Sequence, residues 1–93
     1  MRRMEYVLHC VEEEALEVAL AISKAQRFGM HDHHPNDPPG ITNAVKILGE
    51  FNDLICMLRM AGFDTTPDEE LISNHREQVL HYMEYSVRAG IIE

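Results

Sequence analysis

Acidic residues occur three or four positions apart in two segments of this 93-residue chain that are expected to be helical. Glu13, Glu14 and Glu17 lie in the first segment, and Glu50 and Asp53 lie in the second. Residues at these spacings share one face of a helix, so each helix presents a group of carboxylates. Carboxylate oxygens are ligands for Mg²⁺, Mn²⁺ or Ca²⁺. Two antiparallel helices could therefore form a metal site from Glu14, Glu17, Glu50 and Asp53.

The second acidic pair stands in an unusually apolar segment. Between Ala44 and Ala61 apolar residues occur on nearly every side, which is typical of a buried helix. A carboxylate buried without a partner costs several kcal/mol or becomes protonated. Ordinary explanations are a position at the rim of the core, or a buried ion pair with Arg59 or Arg76.

The first acidic group also has an ordinary explanation, a solvated helix face. Helical geometry suggests that Glu13, Glu14 and Glu17 lie away from the apolar stripe on the same helix. That stripe is formed by Val11, Ala15, Val18 and Ile22.

Cations and an amide accompany the acids. Magnesium bound by few carboxylates keeps several waters and is often completed by substrate phosphates. Lys24, Arg27 and Lys46 could then bind phosphate oxygens. Asn43 lies two turns before Glu50, and its amide could contact a ribose or base or cap the second helix.

Three helices and one loop position these residues. The pattern predicts helices over about 3–28, 42–61 and 67–89, with glycine following each. Thr42 or Asn43 is expected to cap the second helix, and Thr66, before Pro67, the third. The intervening segment 29–41 is rich in His and Pro and is predicted to be a loop. No stretch alternates with period two, so the prediction is a single all-α domain over residues 1–93.

Composition excludes several classes of function. Sixteen acidic residues against 8 basic ones give a net charge of −8, which argues against binding nucleic acid or an anionic membrane. No apolar run could span a bilayer, and the start lacks a signal-peptide core. Cys10 and Cys56 form no CxxC pair and are expected to be reduced core thiols. We expect a soluble, cytoplasmic protein, and its small size favours oligomerisation.

Several motifs occur in order along the chain. Glu13-Glu14-x-x-Glu17 is followed by the stretch 23–29, SKAQRFG, by Thr42-Asn43, and by the stretch 50–54, EFNDL. This series resembles the MazG-like all-α nucleoside triphosphate pyrophosphohydrolases, in particular a compact and often phage-borne branch. The resemblance covers about residues 8–63, and the last helix carries no matching motif.

The resemblance implies a helical bundle completed by oligomerisation as a homodimer or homotetramer. It implies Mg²⁺-dependent hydrolysis of a (d)NTP to the (d)NMP and pyrophosphate, with Mn²⁺ as a substitute, in the host cytoplasm if the chain is phage-encoded. Glu14, Glu17, Glu50 and Asp53 would be the metal ligands, and Glu13 a further ligand or the group that orients water. The long loop over 29–41 leaves base specificity open.

Physical chemistry is consistent with that reaction. Phosphoryl transfer requires positioning and charge neutralisation more than covalent chemistry. A metal-activated water would attack the α-phosphorus, and Lys24 and Arg27 would stabilise the departing pyrophosphate. The sequence contains no Ser–His or Cys–His pair at a useful spacing, so we do not expect a covalent intermediate.

Three alternative functions are also compatible with the sequence. The chain could be a non-catalytic acidic adaptor that binds a basic partner. It could be a carboxylate di-iron protein, although such bundles use Glu-x-x-His motifs that the sequence lacks. The histidines of the run 31–34 could bind a transition metal, although their spacing is not that of a structural zinc site.

Overall fold

A computed structural model describes all 93 residues and contains three helices and no strand. They are α1 (Arg3–Phe28), α2 (Asn43–Met60) and α3 (Glu69–Arg88). The predicted all-α class is confirmed, and the observed helix bounds differ from the predicted ones by at most two residues.

The ends of the helices follow local chemistry. Gly29 ends α1 with a φ of 96°, a conformation that glycine adopts without steric cost. The hydroxyl of Thr42 accepts a hydrogen bond from the Val45 amide at 3.2 Å and caps α2, as predicted.

The start of α3 differs from the prediction. Asp68 is the N-cap of α3, and its carboxylate accepts a hydrogen bond from the Leu71 amide at 3.1 Å. The prediction of Thr66 as the cap was wrong. Its backbone amide instead donates to the Asp64 carboxylate at 2.9 Å, within the link between helices. A negative cap also interacts favourably with the helix dipole, which a hydroxyl does not.

Helices α1 and α2 form an antiparallel hairpin. The Asn43 side chain donates a hydrogen bond to the Gly29 carbonyl at 2.7 Å, which joins the end of α1 to the start of α2. The Asn43 backbone amide donates to the Asp32 carbonyl at 2.8 Å, and the Ala44 amide donates to the Met30 carbonyl at 2.9 Å. These bonds satisfy free amides at the helix start and fold the loop 29–41 against it.

The side of α1 that faces α2 is defined by burial. Because α2 is the only helix that α1 contacts, the less exposed side chains of α1 mark their interface. They occur mostly at steps of three and four, the spacing of a helix-packing seam. The seam residues are Val7, Cys10, Val11, Glu14, Val18, Ala21 and Ala25.

Glu14 lies inside this seam, between Val11 and Val18. The prediction that Glu14 lies away from the apolar stripe was therefore wrong. The reason is the same helical spacing, since Glu14 follows Val11 by three positions and precedes Val18 by four. Ala15 and Ile22, which the prediction placed in the stripe, are exposed and lie on another side of α1.

The single chain has almost no closed core. Ala25 is the one buried residue, and α3 contacts neither α1 nor α2. The expectation that α2 is buried is not met in one chain, because none of its residues is buried. Both cysteines are free thiols, but Cys56 is exposed rather than in a core. None of the three helices has the length and apolar character that crossing a membrane would require.

Candidate metal centre

Three carboxylates from two helices converge at the middle of the hairpin. Ligand oxygens of Glu14, Glu50 and Asp53 all lie within 4.8 Å of one another. Glu14 comes from the seam of α1, and Glu50 comes from the facing seam of α2, where it lies between Ile47 and Leu54. Glu14 and Glu50 are half-buried, whereas Asp53 is exposed.

No basic side chain neutralises this group. The chain's single ion pair joins Lys46 to Asp37, in the loop. The structure does not contain the ion pair with arginine that was one ordinary explanation for Glu50 and Asp53. Arg59 donates from its Nε to the Thr65 hydroxyl at 2.8 Å, and Arg76 lies on α3, which does not contact the hairpin.

The electrostatic consequence appears at Glu14. Partial burial raises the pKa of the Glu14 carboxyl, and the negative charges of Asp53, Glu50, Glu17 and Glu13 raise it further, in that order. Each of these causes disfavours the ionised form. The group therefore carries an electrostatic strain that a bound cation would relieve.

The donor set fits a hard divalent cation. All three groups offer carboxylate oxygens, which suit Mg²⁺, Mn²⁺ and Ca²⁺ better than soft metals. The three ligand oxygens all lie within 4.8 Å of one another, so a single cation between α1 and α2 would be held by Glu14, Glu50 and Asp53.

The other two predicted acids flank the group without joining it. Glu17 lies one turn along α1 and lines a neighbouring cavity, and Glu13 is exposed. Both stand close enough for their charges to raise the pKa of Glu14. The structure thus brings together three of the four predicted metal ligands, and the role of Glu17 stays a prediction.

A cavity of about 970 Å³ adjoins the three carboxylates. It is bounded by α1, the loop 29–41 and the start of α2, and Glu50 belongs both to its wall and to the carboxylate group. Glu17 and Phe28, which both line it, are separated by about 16 Å along α1. The volume lies within the range of small-molecule sites in proteins.

The predicted phosphate-binding residues divide into two groups. Lys24 and Lys46 both line the cavity, but Lys46 is held by its ion pair with Asp37. The guanidinium of Arg27 lies over the Phe28 ring at 5.0 Å from its centroid and is not part of the cavity wall.

Asn43 also lines the cavity, but its amide is engaged. The Asn43 Nδ2 atom donates a hydrogen bond to the Gly29 carbonyl. The side chain therefore joins α1 to α2, and its contact with a ribose or base stays a prediction. The predicted capping role falls to Thr42, whose hydroxyl accepts from the Val45 amide.

The loop contributes residues that sequence reasoning did not assign to the site. His33 and His34 line the cavity together with Phe28. The His33 Nδ1 atom lies 3.0 Å from the His34 carbonyl, and the His34 Nδ1 atom accepts from the Asn36 amide at 3.1 Å. No periodic pattern pointed to this arrangement, because the path of a Pro-rich loop is set by its anchors.

Histidine takes no part in the carboxylate group. The one group of three potential metal ligands in the chain consists of two glutamates and an aspartate. None of the histidines of the run 31–34 belongs to this group, and the Glu-x-x-His signature of di-iron bundles does not occur in the sequence.

Comparisons with models of protein families, with curated proteins and with solved structures find no match for this chain. Family membership therefore stays a resemblance, carried by the motifs on α1 and α2.

Proposed function

We propose that this protein is a Mg²⁺-dependent nucleotide pyrophosphohydrolase that converts a (d)NTP to the (d)NMP and pyrophosphate. The observation that carries the proposal is the group formed by Glu14, Glu50 and Asp53, whose oxygens lie within 4.8 Å without a neutralising cation. The adjoining cavity is large enough for a nucleotide and has Lys24 in its wall. The resemblance of the motifs on α1 and α2 implies the same chemistry.

Glu14, Glu50 and Asp53 would hold the Mg²⁺ ion, with Mn²⁺ as a substitute. Such an ion supplies charge neutralisation and a water of lowered pKa. Glu17, on the cavity wall one turn from Glu14, would complete the ligand set or orient water. Glu13 would orient water from the outer edge of the group.

The remaining polar residues would position the triphosphate. Lys24 lines the cavity from α1, and its ammonium would bind phosphate oxygens of the departing pyrophosphate. Lys46 would act from α2, where its pairing with Asp37 holds it against the loop. Arg27 would have to leave the Phe28 ring to reach the substrate.

The experiment is a panel of all canonical NTPs and dNTPs with Mg²⁺, in which pyrophosphate and orthophosphate are measured separately. Pyrophosphate is the expected direct product, because the attack is placed at the α-phosphorus. Glu50→Gln is expected to abolish its release, whereas Glu12→Gln, an exposed residue outside the group, leaves it unchanged.

Two results would refute the proposal. One is direct release of orthophosphate with pyrophosphatase contamination excluded, and the other is an unchanged rate in Glu50→Gln. Inactivity of the wild-type chain, together with no metal binding in the presence of a non-hydrolysable dNTP, would favour the acidic adaptor.

A further inference from the structure

The cavity beside the carboxylate group has two chemically different ends. One end has Glu17 and Glu50 in its wall and adjoins the candidate metal centre. The other end, called the loop end here, is lined by Phe28 at the end of α1 and by residues 32–35 of the loop. Lys24 lies between the two ends along α1. A metal ion and a lysine attract phosphates, so the loop end is the part of the cavity that remains for the base of a nucleotide.

Phe28 provides an aromatic surface at the loop end. Its side chain is 63% exposed, and the Arg27 guanidinium lies over one face of the ring at 5.0 Å from the centroid. No other aromatic ring packs against Phe28, so the opposite face can stack on a base. Stacking on an aromatic side chain contributes affinity for every base and does not distinguish one base from another.

Asp32 is held in place beside Phe28 by backbone hydrogen bonds. Its carbonyl accepts from the backbone amide of Asn43 at 2.8 Å, and its Oδ1 atom accepts from the His33 amide at 2.8 Å. The Asp32 carboxylate forms no ion pair, because the chain's single ion pair joins Lys46 to Asp37. Its Oδ2 atom and the second lone pair of Oδ1 are therefore available to accept hydrogen bonds from a ligand.

The two loop histidines have defined donor and acceptor atoms. The His33 Nδ1 atom lies 3.0 Å from the His34 carbonyl, which can only accept, so Nδ1 carries the proton and Nε2 of the neutral ring is an acceptor. The His34 Nδ1 atom accepts from the Asn36 amide, so Nε2 of the neutral ring carries the proton and is a donor. The loop end therefore contains a carboxylate and one imidazole as acceptors, and a second imidazole as a donor.

This set of polar groups matches guanine better than the other bases. Guanine has two adjacent donors, N1–H and the N2 amino group, which one carboxylate can accept together, and its O6 and N7 atoms accept from a donor such as His34 Nε2. Adenine and cytosine place an unprotonated ring nitrogen beside their amino group, and its lone pair is repelled by a carboxylate. Thymine and uracil have a single N–H between two carbonyls. Among the common bases, guanine alone gives both oxygens of Asp32 a donor.

We propose that the loop end is a guanine-selective base subsite, in which Asp32 accepts from N1–H and the N2 amino group while Phe28 stacks on the ring. The proposal rests on the proposed function and narrows its substrate class to guanine nucleotides, GTP or dGTP. The Asp32 carboxylate also repels phosphates, which directs the triphosphate toward Lys24 and the carboxylate group.

The test measures binding rather than turnover. Analogues of dGTP, dATP, dCTP and dTTP in which a methylene group replaces the α,β-bridging oxygen are titrated calorimetrically into the full chain with Mg²⁺. The dGTP analogue is expected to bind about 10-fold or more tightly than the other three, because its hydrogen bonds to a charged group have no counterpart in them. The matching dITP analogue lacks only the N2 amino group and is expected to bind more weakly than the dGTP analogue.

Asp32→Asn is the variant that tests recognition of the base. The amide oxygen of asparagine can still accept from the His33 amide, so the course of the loop is retained. The dGTP analogue is expected to lose its advantage over the dATP analogue. A xanthine analogue should gain affinity, because its C2 carbonyl accepts from the new amide group. Asp64→Asn, in the link before α3, is the matched control and should change none of these affinities.

Phe28→Leu separates stacking from recognition of the base edge. All four analogues are expected to bind more weakly by a similar factor, about 5-fold or more, since a base stacks on the ring whatever its identity. The ratio of dGTP to dATP affinity should stay as in the wild type. Unchanged affinities in Phe28→Leu would contradict the placement of the base at the loop end.

The outcomes distinguish the base subsite from the proposed hydrolysis. Equal affinity for the four analogues, no binding of the dGTP analogue, or a retained guanine preference in Asp32→Asn would overturn the base subsite. Equal weakening of all four analogues in Asp32→Asn would also overturn it, because Asp32 would then contact the sugar. Guanine-selective binding without release of pyrophosphate would support the subsite and refute the hydrolysis, whereas release of pyrophosphate without base selectivity would do the reverse.

Discussion

Glu14 of α1 and Glu50 of α2 face each other across the hairpin, at positions where a helix pair usually buries two apolar side chains. Each stands in the row of less exposed residues of its helix, and their oxygens lie within 4.8 Å together with Asp53. Two like charges at a packing seam destabilise the metal-free fold. The cost is understandable if the seam is built to bind a cation.

Removal of one charge from the seam is expected to stabilise the metal-free protein. In the presence of a chelator, Glu14→Gln should raise the Tm, because it removes repulsion from Asp53 and Glu50. The measurement is thermal unfolding followed by circular dichroism. Glu12→Gln serves as the matched control and should leave the Tm unchanged. A lower Tm for Glu14→Gln would mean that the carboxylate has a stabilising partner.

The same substitution should have a pH-dependent effect. The pKa of Glu14 is raised in the folded chain, so the folded state binds this proton more tightly than the unfolded state does. Protonation of Glu14 therefore favours the folded state. This contribution to stability is complete below the ordinary glutamate pKa of about 4.3, and it is lost as the pH rises through the raised pKa of Glu14. The Tm advantage of Glu14→Gln should therefore be small near pH 4 and grow toward neutrality. An advantage independent of pH would contradict this electrostatic origin.

The ion pair between Asp37 and Lys46 is expected to hold the loop 29–41 against α2. The hydrogen bond and the charge of Lys46 lower the pKa of the Asp37 carboxyl. The stability that this ion pair contributes is present above the ordinary aspartate pKa, and it is lost as the pH falls through the lowered pKa of Asp37.

Asp37→Asn should therefore speed proteolytic cleavage within the loop at neutral pH, while helix content stays the same. Asp64→Asn, in the link before α3, is the control and should not affect cleavage of this loop. Equal cleavage rates in wild type and Asp37→Asn would show that the backbone bonds of Asn43 and Ala44 suffice to hold it.

Two neighbouring cations on α1 should differ in their effect on substrate binding. Lys24 lines the cavity, whereas Arg27 lies over the Phe28 ring outside it. Lys24→Ala should raise the KM for the triphosphate by about 10-fold or more, since a charged hydrogen bond contributes about 1.5–3 kcal/mol. Arg27→Ala should have a smaller effect. The reverse order would place the phosphates at the end of α1 rather than beside Lys24.

The sequence patterns predicted the helix bounds to within two residues, but they did not predict which surfaces the helices bury. Gly29 and Thr42 mark helix ends through their own backbone and side-chain chemistry, so the sequence alone was sufficient there. Near α3, both Thr66 and Asp68 can accept a capping bond, and the path of the link decides between them.

The convergence of Glu14, Glu50 and Asp53 was predictable because it depends only on helical spacing and an antiparallel pair. The position of Glu14 within the seam could also have been predicted from its spacing to Val11 and Val18, although the prediction placed it elsewhere. By contrast, the pairing of Lys46 with Asp37 depends on the course of a loop without periodicity. The separation of α3 from the hairpin could not be predicted, because an amphipathic pattern does not specify what its apolar face packs against.

The most direct test of the central claim is a calorimetric titration of Mg²⁺ into the full chain in the presence of a non-hydrolysable dNTP. Saturable binding is expected for the wild type and for Glu12→Gln, and loss of that binding is expected for Glu50→Gln. Absence of binding by the wild-type chain, or equal affinity in Glu50→Gln, would contradict a cation site built from the facing carboxylates of α1 and α2.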